Sequence, residues 1–192
     1  IVLNDVRGQV NLHDQTLDLR DVTAGYLGGK MKLAGQFTSD GTEEPAFNFK
    51  YDVIRLPFEG LVEQVKWINQ MMPLSQYIKG IFNSTFLFEG KLGQDMMPQL
   101  GSLTVSGYIE TIEAALGALP FMEKLSKKIS VKELEGLAIE NTKNWFEIKK
   151  GKFDLQPFET TYEDIKMEIG GYTGLDKTMD FDISADIPRE LF

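Results

Sequence analysis

The stretch "TAGYLGGKMKLAGQF" occupies residues 23–37, and two readings of its glycines lead to different proteins. A phosphate-binding loop needs G-x-x-x-x-G-K-[ST] at the opening of a helix, so that backbone N–H groups and the helix dipole face the anion. Here Met31 stands where Ser or Thr is required, and Met31, Leu33 and Phe37 fall on one side of a period-two pattern. The stretch therefore reads as a hairpin. Gly28 and Gly29 reverse the chain, because glycine adopts positive φ without steric cost, and Lys30 and Lys32 point to solvent.

The same alternation extends in both directions. Upstream, Val6, Gly8, Val10 and Leu12 oppose Arg7, Gln9 and Asn11, and Leu17 and Leu19 share one side of the next run. Downstream, Phe47, Phe49, Tyr51 and Val53 align; so do Phe82, Phe86, Phe88 and Leu92, and then Leu103, Val105, Gly107 and Ile109. The last run is the most one-sided, with Met179, Phe181, Ile183, Ala185 and Ile187 against Asp180, Asp182, Ser184 and Asp186. Turn residues at 13–15, 25–29 and 39–45 separate the early strands. Two segments break the pattern. Over about 57–78, Phe58, Leu61, Val62, Val65, Ile68 and Met72 recur at three- and four-residue steps between Pro57 and Pro73. A second helical stretch is expected over about 111–129, interrupted at Pro120.

These patterns predict a mainly β fold with minor α. The strands form an antiparallel meander curled into a groove, open barrel or sandwich, and the two helical segments pack on the sheet or cap it. Residues 1–192 are read as one domain, since a chain of 192 residues supports one good core. The first residues carry neither an initiator Met nor a signal-peptide pattern, so the chain reads as a fragment of a longer one.

Composition narrows the chemistry. Twenty basic against twenty-nine acidic residues give a net charge of −9, which opposes a nucleic-acid role. The absence of cysteine excludes disulfides, cysteine-ligated zinc and thiol nucleophiles. The single histidine, His13, rules out a multi-histidine metal site and reads as a solvated turn residue. The alternating Asp176, Asp180, Asp182 and Asp186 lack the spacing and central glycine of a calcium loop and read as a wet outer face that discourages edge association. No G-x-S-x-G occurs, and no carboxylate pair is singled out for glycoside hydrolysis. No catalytic residue, metal or cofactor is expected.

The apolar side is where the sequence concentrates its area. Phe47, Phe49, Phe82, Phe86, Phe88, Phe153 and Phe181, with Phe158, supply aromatic surface to one face of successive strands. Two readings stay open: a sandwich core closed by the helical stretches, or a curled sheet whose lining takes acyl chains.

Three ordered segments resemble the AsmA family, in particular its C-terminal region of Bacteroidetes type. They are "GQVNLHDQTLDLRDVTAGYLGGKMKLAGQF", "FLFEGKLGQDMMPQLGSLTVSGYIET" and "WFEIKKGKFDLQPFETTYEDIKMEIGGYTGLDKTMDFDISADIP". Phe181 stands where that family more usually has Tyr. The resemblance implies a periplasmic module of the cell envelope, anchored in the inner membrane by a segment outside this sequence. It also implies kinship with bridge-like lipid transfer proteins, phospholipid acyl chains and other envelope proteins as partners, and a part in lipid transport or outer-membrane biogenesis. A structural adaptor for outer-membrane protein assembly and a carbohydrate-active enzyme on a β-scaffold are the alternatives.

Overall fold

A computed structural model describes residues 2–39, 41, 44–65, 68–69, 73–116, 137–139, 141–162, 165–176 and 178–186. Among the described residues, eleven strands form a single sheet: β1 (Asn4–His13), β2 (Thr16–Tyr26), β3 (Gly29–Thr38), β4 (Ala46–Pro57), β5 (Ile78–Lys91), β6 (Thr104–Leu116), β7 (Leu137–Ile139), β8 (Lys143–Lys149), β9 (Lys152–Tyr162), β10 (Ile165–Gly174) and β11 (Met179–Asp186). Their order in the sheet is β1-β2-β3-β4-β5-β6-β8-β9-β10-β11, with β7 pairing the far end of β6. Every described pairing is antiparallel, and β1 and β11 do not pair, so the meander is open and not a closed barrel.

Tight turns set this topology. His13 pairs with Thr16, Tyr26 with Gly29 and Lys149 with Lys152, leaving two-residue loops of Asp14–Gln15, Leu27–Gly28 and Lys150–Gly151. Both central residues of each loop have positive φ, the signature of a type I′ turn, whose twist matches that of the flanking strands. The expected Gly28–Gly29 turn is thus shifted by one residue. Gly29 already belongs to β3 and lies against β4, where an added Cβ would stand 2.6 Å from the Arg55 carbonyl oxygen.

Among the described residues the two expected helical segments are only partly helical. In the first segment α1 covers Phe58–Gln64, ending at Val65, whose N–H donates to the Leu61 carbonyl at 2.9 Å, and residues 68–69 are again helical. A short 3-10 turn, Pro73–Tyr77, then leads into β5. In the second segment, residues 111–116 are the end of β6, while 117–129 fall outside the described residues. The helix-favouring Glu and Ala residues there extend a ladder: Ala114 pairs with Gly80 of β5 on one side and with Ile139 of β7 on the other. Tertiary pairing overrides a weak local propensity.

Residues directly opposite in antiparallel strands share a face, and register here links one face across the whole sheet. Val10, Leu19, Gly35, Phe49, Phe88, Val105, Ile148, Phe153, Thr173 and Met179 are consecutive partners in ten strands. A parallel row runs Val22, Leu33, Tyr51, Phe86, Gly107, Phe146, Leu155, Gly171 and Phe181. This is the core face. One cluster on it joins Phe47, Leu103, Val105, Ile148 and Phe153. Another joins Tyr26, Val53, Leu56, Phe82, Ile165 and Met167 with Phe58 of α1, whose ring stacks on Phe82 at 4.2 Å.

Glycine makes room for the rings. An added Cβ at Gly107 would stand 2.5 Å from Phe86 Cβ, and one at Gly35 would stand 2.8 Å from Phe49 Cδ1. A ring on one strand thus lies over the bare backbone of the next. Bulges interrupt the ladders between Leu19 and Val22, between Val53 and Leu56, and between Ile81 and Phe82. Each adds bend and right-handed twist to the sheet.

One bulge has a larger effect. In β9, Gln156 and Pro157 oppose only Gly170 of β10, where an added Cβ would stand 2.9 Å from Pro157 Cα. Proline has no N–H to donate to a ladder. Beyond this point β9 leaves β8, and their described pairing stops at Phe146–Leu155. Each strand keeps its other neighbour, β6 for β8 and β10 for β9. The result is a split within the sheet, bounded farther along where β7 again lies beside β9.

Candidate functional site

The core face is the most extensive candidate surface, and burial divides it into zones. Leu103 and Phe153 are 1% and 3% exposed at its centre, whereas Val10 on β1 and Met179 on β11 are 66% and 62% exposed. Of the seven aromatic residues singled out from sequence, Phe47, Phe82 and Phe153 are buried in the clusters. Phe49, Phe86, Phe88 and Phe181 are half-buried.

The middle of the face is an aromatic array. Phe49 pairs with Phe88 and Tyr51 with Phe86, and the Tyr51 and Phe86 rings stack with centroids 5.1 Å apart. Phe47 lies 4.8 Å from Phe88 and 6.0 Å from Phe49, while Phe146 lies 5.9 Å from Phe153. Burial in this array raises the Tyr51 phenol above its usual pKa, since an apolar setting disfavours the phenolate. At the rim, the Tyr26 hydroxyl donates to Gln64 Oε1 of α1 at 3.1 Å, tying the helix to the sheet. Such a surface offers dispersion and apolar area, with few groups able to transfer a proton.

The opposite face is polar and charged. Lys32 pairs with Asp21 at 2.8 Å and Lys91 with Glu44 at 2.8 Å, and in both pairs the salt bridge lowers the carboxylate pKa and raises the ammonium pKa. Asp180, Asp182 and Asp186 are exposed along β11.

Two features of this outer face were not legible in advance. Trp145, 53% exposed, meets Tyr108 edge-on with centroids 5.1 Å apart, and the Lys143 ammonium lies 3.7 Å over the Tyr108 ring and 3.3 Å from Glu110. Their common signal is cross-strand adjacency, since Tyr108 pairs with Trp145 and Glu110 with Lys143. That adjacency requires knowing that β6 and β8 are neighbours.

The second concerns His13, which is more than a solvated turn residue. Its Nε2 lies 2.6 Å from Oδ2 of the buried Asp18 across the first hairpin. The bond to Asp18 raises the imidazole pKa, and the bond from His13 together with one from Gln36 lowers the Asp18 pKa.

Among the described residues no group of three or more His, Asp or Glu side chains is placed to hold a metal ion. No described helix is long and apolar enough to cross a membrane. Family models, curated proteins and solved structures yield no match to this chain.

Proposed function

We propose that this protein is a non-enzymatic, AsmA-like envelope module that shelters lipid acyl chains on the core face of its sheet. The observation that carries the reading is the cross-strand row from Val10 to Met179. It carries an apolar side chain at every strand except at Gly35 and Thr173, and it reaches solvent at both ends of the sheet. Removing each CH₂ group from water is worth about 0.8 kcal/mol, so apolar surface at the open ends of this row and beside its half-buried rings holds part of an acyl chain without any reactive group. The half-buried Phe49, Phe86, Phe88 and Phe181 are the residues through which such a chain makes contact. Buried Phe47, Phe82 and Phe153 hold the sheet beneath it. In this reading the acidic outer strand faces water, and the protein works on the periplasmic side of the envelope.

Native mass spectrometry after incubation with vesicles of phosphatidylethanolamine and phosphatidylglycerol tests the proposal. Retained phospholipid is expected for the natural protein, and reduced retention for Phe88→Asp. Absence of retained lipid, together with failure to extract a fluorescent acyl-chain lipid from the same vesicles, would overturn it.

A further inference from the structure

One end of the sheet carries charge opposite in sign to that of the chain. The net charge is −9, yet the β8–β9 hairpin reads "KKGK" at its tip, where Lys149, Lys150 and Lys152 are all exposed. Lys149 and Lys152 stand directly opposite each other across the ladder, and Lys150 sits in the turn between them. Like charges so placed destabilise a strand pair, and no ion pair relieves these three among the described residues. The Lys152 ammonium instead lies 3.2 Å over the Tyr172 ring. In the row of Lys149 the first acid is Glu89, two strands away, and its Oε1 accepts from Asn48 Nδ2 at 2.6 Å. The next pair inward on the same face, Glu147 and Asp154, is acidic. An anionic partner thus finds lysine at the hairpin tip and carboxylates behind it, which favours an end-on approach.

Apolar side chains stand at the same end. The β5–β6 loop closes on itself, with Leu92 bridged to Pro98 and the Gly93 N–H donating to the Met97 carbonyl at 2.9 Å. Met96 and Met97 at its tip are 59% and 52% exposed. Neighbouring strands lie about 4.8 Å apart, so this loop and the lysine hairpin are about 10 Å from each other across the sheet. The β10–β11 loop adds the exposed Leu175, whose N–H donates to the Gly151 carbonyl of that hairpin at 2.8 Å. Two acids share these loops, and each is engaged within its own turn. Asp95 Oδ1 accepts from the Met97 N–H at 3.0 Å, and Asp176 Oδ1 accepts from the Thr178 N–H and hydroxyl.

Exposed methionine and leucine call for a medium that takes hydrocarbon, and the lysines beside them call for anionic groups at its surface. A soluble polyanion would meet the lysines and leave the methionines in water. A membrane surface meets both.

We propose that this end of the sheet docks on an anionic phospholipid membrane, with Met96, Met97 and Leu175 entering the head-group layer and the three lysines meeting lipid phosphates. Docking is separate from acyl-chain capture: vesicle binding without lipid extraction retains the docking surface and removes the sheltering role, and the reverse result does the opposite.

Flotation of the intact protein with vesicles is the test. Binding is expected to vesicles of phosphatidylglycerol and phosphatidylcholine in about equal parts and not to phosphatidylcholine alone, and it should fall as salt screens the attraction. Lys149→Gln combined with Lys150→Gln should weaken it about thirtyfold, and Met96→Ser combined with Met97→Ser about tenfold. All four side chains are exposed, so these variants keep the fold, which circular dichroism checks. Because the chain has no cysteine, Met96→Cys accepts a single environment-sensitive fluorophore, and its emission should shift to the blue on the mixed vesicles. The same label at Leu87→Cys, exposed in the middle of the outer face, should not shift. No binding to the mixed vesicles, with or without capture of a soluble polyanion such as polyglutamate, would overturn the proposal. So would equal binding to both kinds of vesicle, unchanged binding by the lysine variant, or equal shifts at the two labels.

Discussion

The same cross-strand row is sealed at Val105, Ile148 and Phe153 and open to water at Val10 and Met179. Both regions show the same apolar alternation, so alternation specifies which side of a strand faces the core but not how deeply it is buried. Depth comes from place in the sheet. A central strand has a neighbour on each side and side chains packed over it, whereas β1 and β11 have one neighbour each.

The sharpest way to break this contrast is truncation at each place. Phe153→Ala should cost about 3–5 kcal/mol by emptying a packed site, while Met179→Ala should stay within about 0.5 kcal/mol, as exposed changes do. Chemical denaturation followed by circular dichroism compares the two, and equal effects would refute the zoning. Filling space should also hurt the centre. Gly107→Ala places a methyl against Phe86 and the β5 backbone, and a loss of about 1–3 kcal/mol is expected. Gly101→Ala meets nothing within 4 Å and serves as the neutral partner in the same assay.

The edge has a stabilising contact of its own, which pH sharpens. The His13 pKa is raised by Asp18, so its contribution is fully present below the ordinary histidine value of about 6.5 and is lost as pH rises through the higher folded value. The Asp18 pKa is lowered, so its contribution is lost as pH falls from about 3.9 through the folded value. Thermal unfolding against pH should show an advantage over His13→Ala between those limits that shrinks on either side. A flat difference would mean the contact contributes nothing. The smallest expected effect is on stability in Val10→Lys, within about 0.5 kcal/mol. Retention of phospholipid by this variant then reports whether the open end of the row takes part in binding.

Much of the architecture follows from local chemistry that can be read directly. The alternation of β4, β5 and β11 and a turn at the glycine pair are encoded within a few residues each, although the turn falls at Leu27–Gly28, one residue before the Gly28–Gly29 expected, and the meander follows because neighbours in sequence pair. What was not legible depends on distant partners. Residues 111–116 carry helix-favouring side chains but become strand because β5 and β7 flank them. Phe47 and Phe49 alternate identically, yet one is buried and the other half-buried according to what packs above. The split between β8 and β9 depends on Pro157 and Gly170 meeting across a ladder of strands whose pairing is set far apart in sequence. A proline inside an otherwise regular strand was the available signal.

The open meander also fixes how the molecule would answer a pull. Asn4 and Asp186 lie on the two outermost strands, and almost every ladder joins strands that follow one another in sequence. Tension applied through these residues would peel strands from the sides, loading a few hydrogen bonds at a time instead of shearing a whole ladder at once. Such a sheet yields at low force and in steps. The clusters around Leu103 and Phe82, flanked by strands on both sides, would be the last to give way.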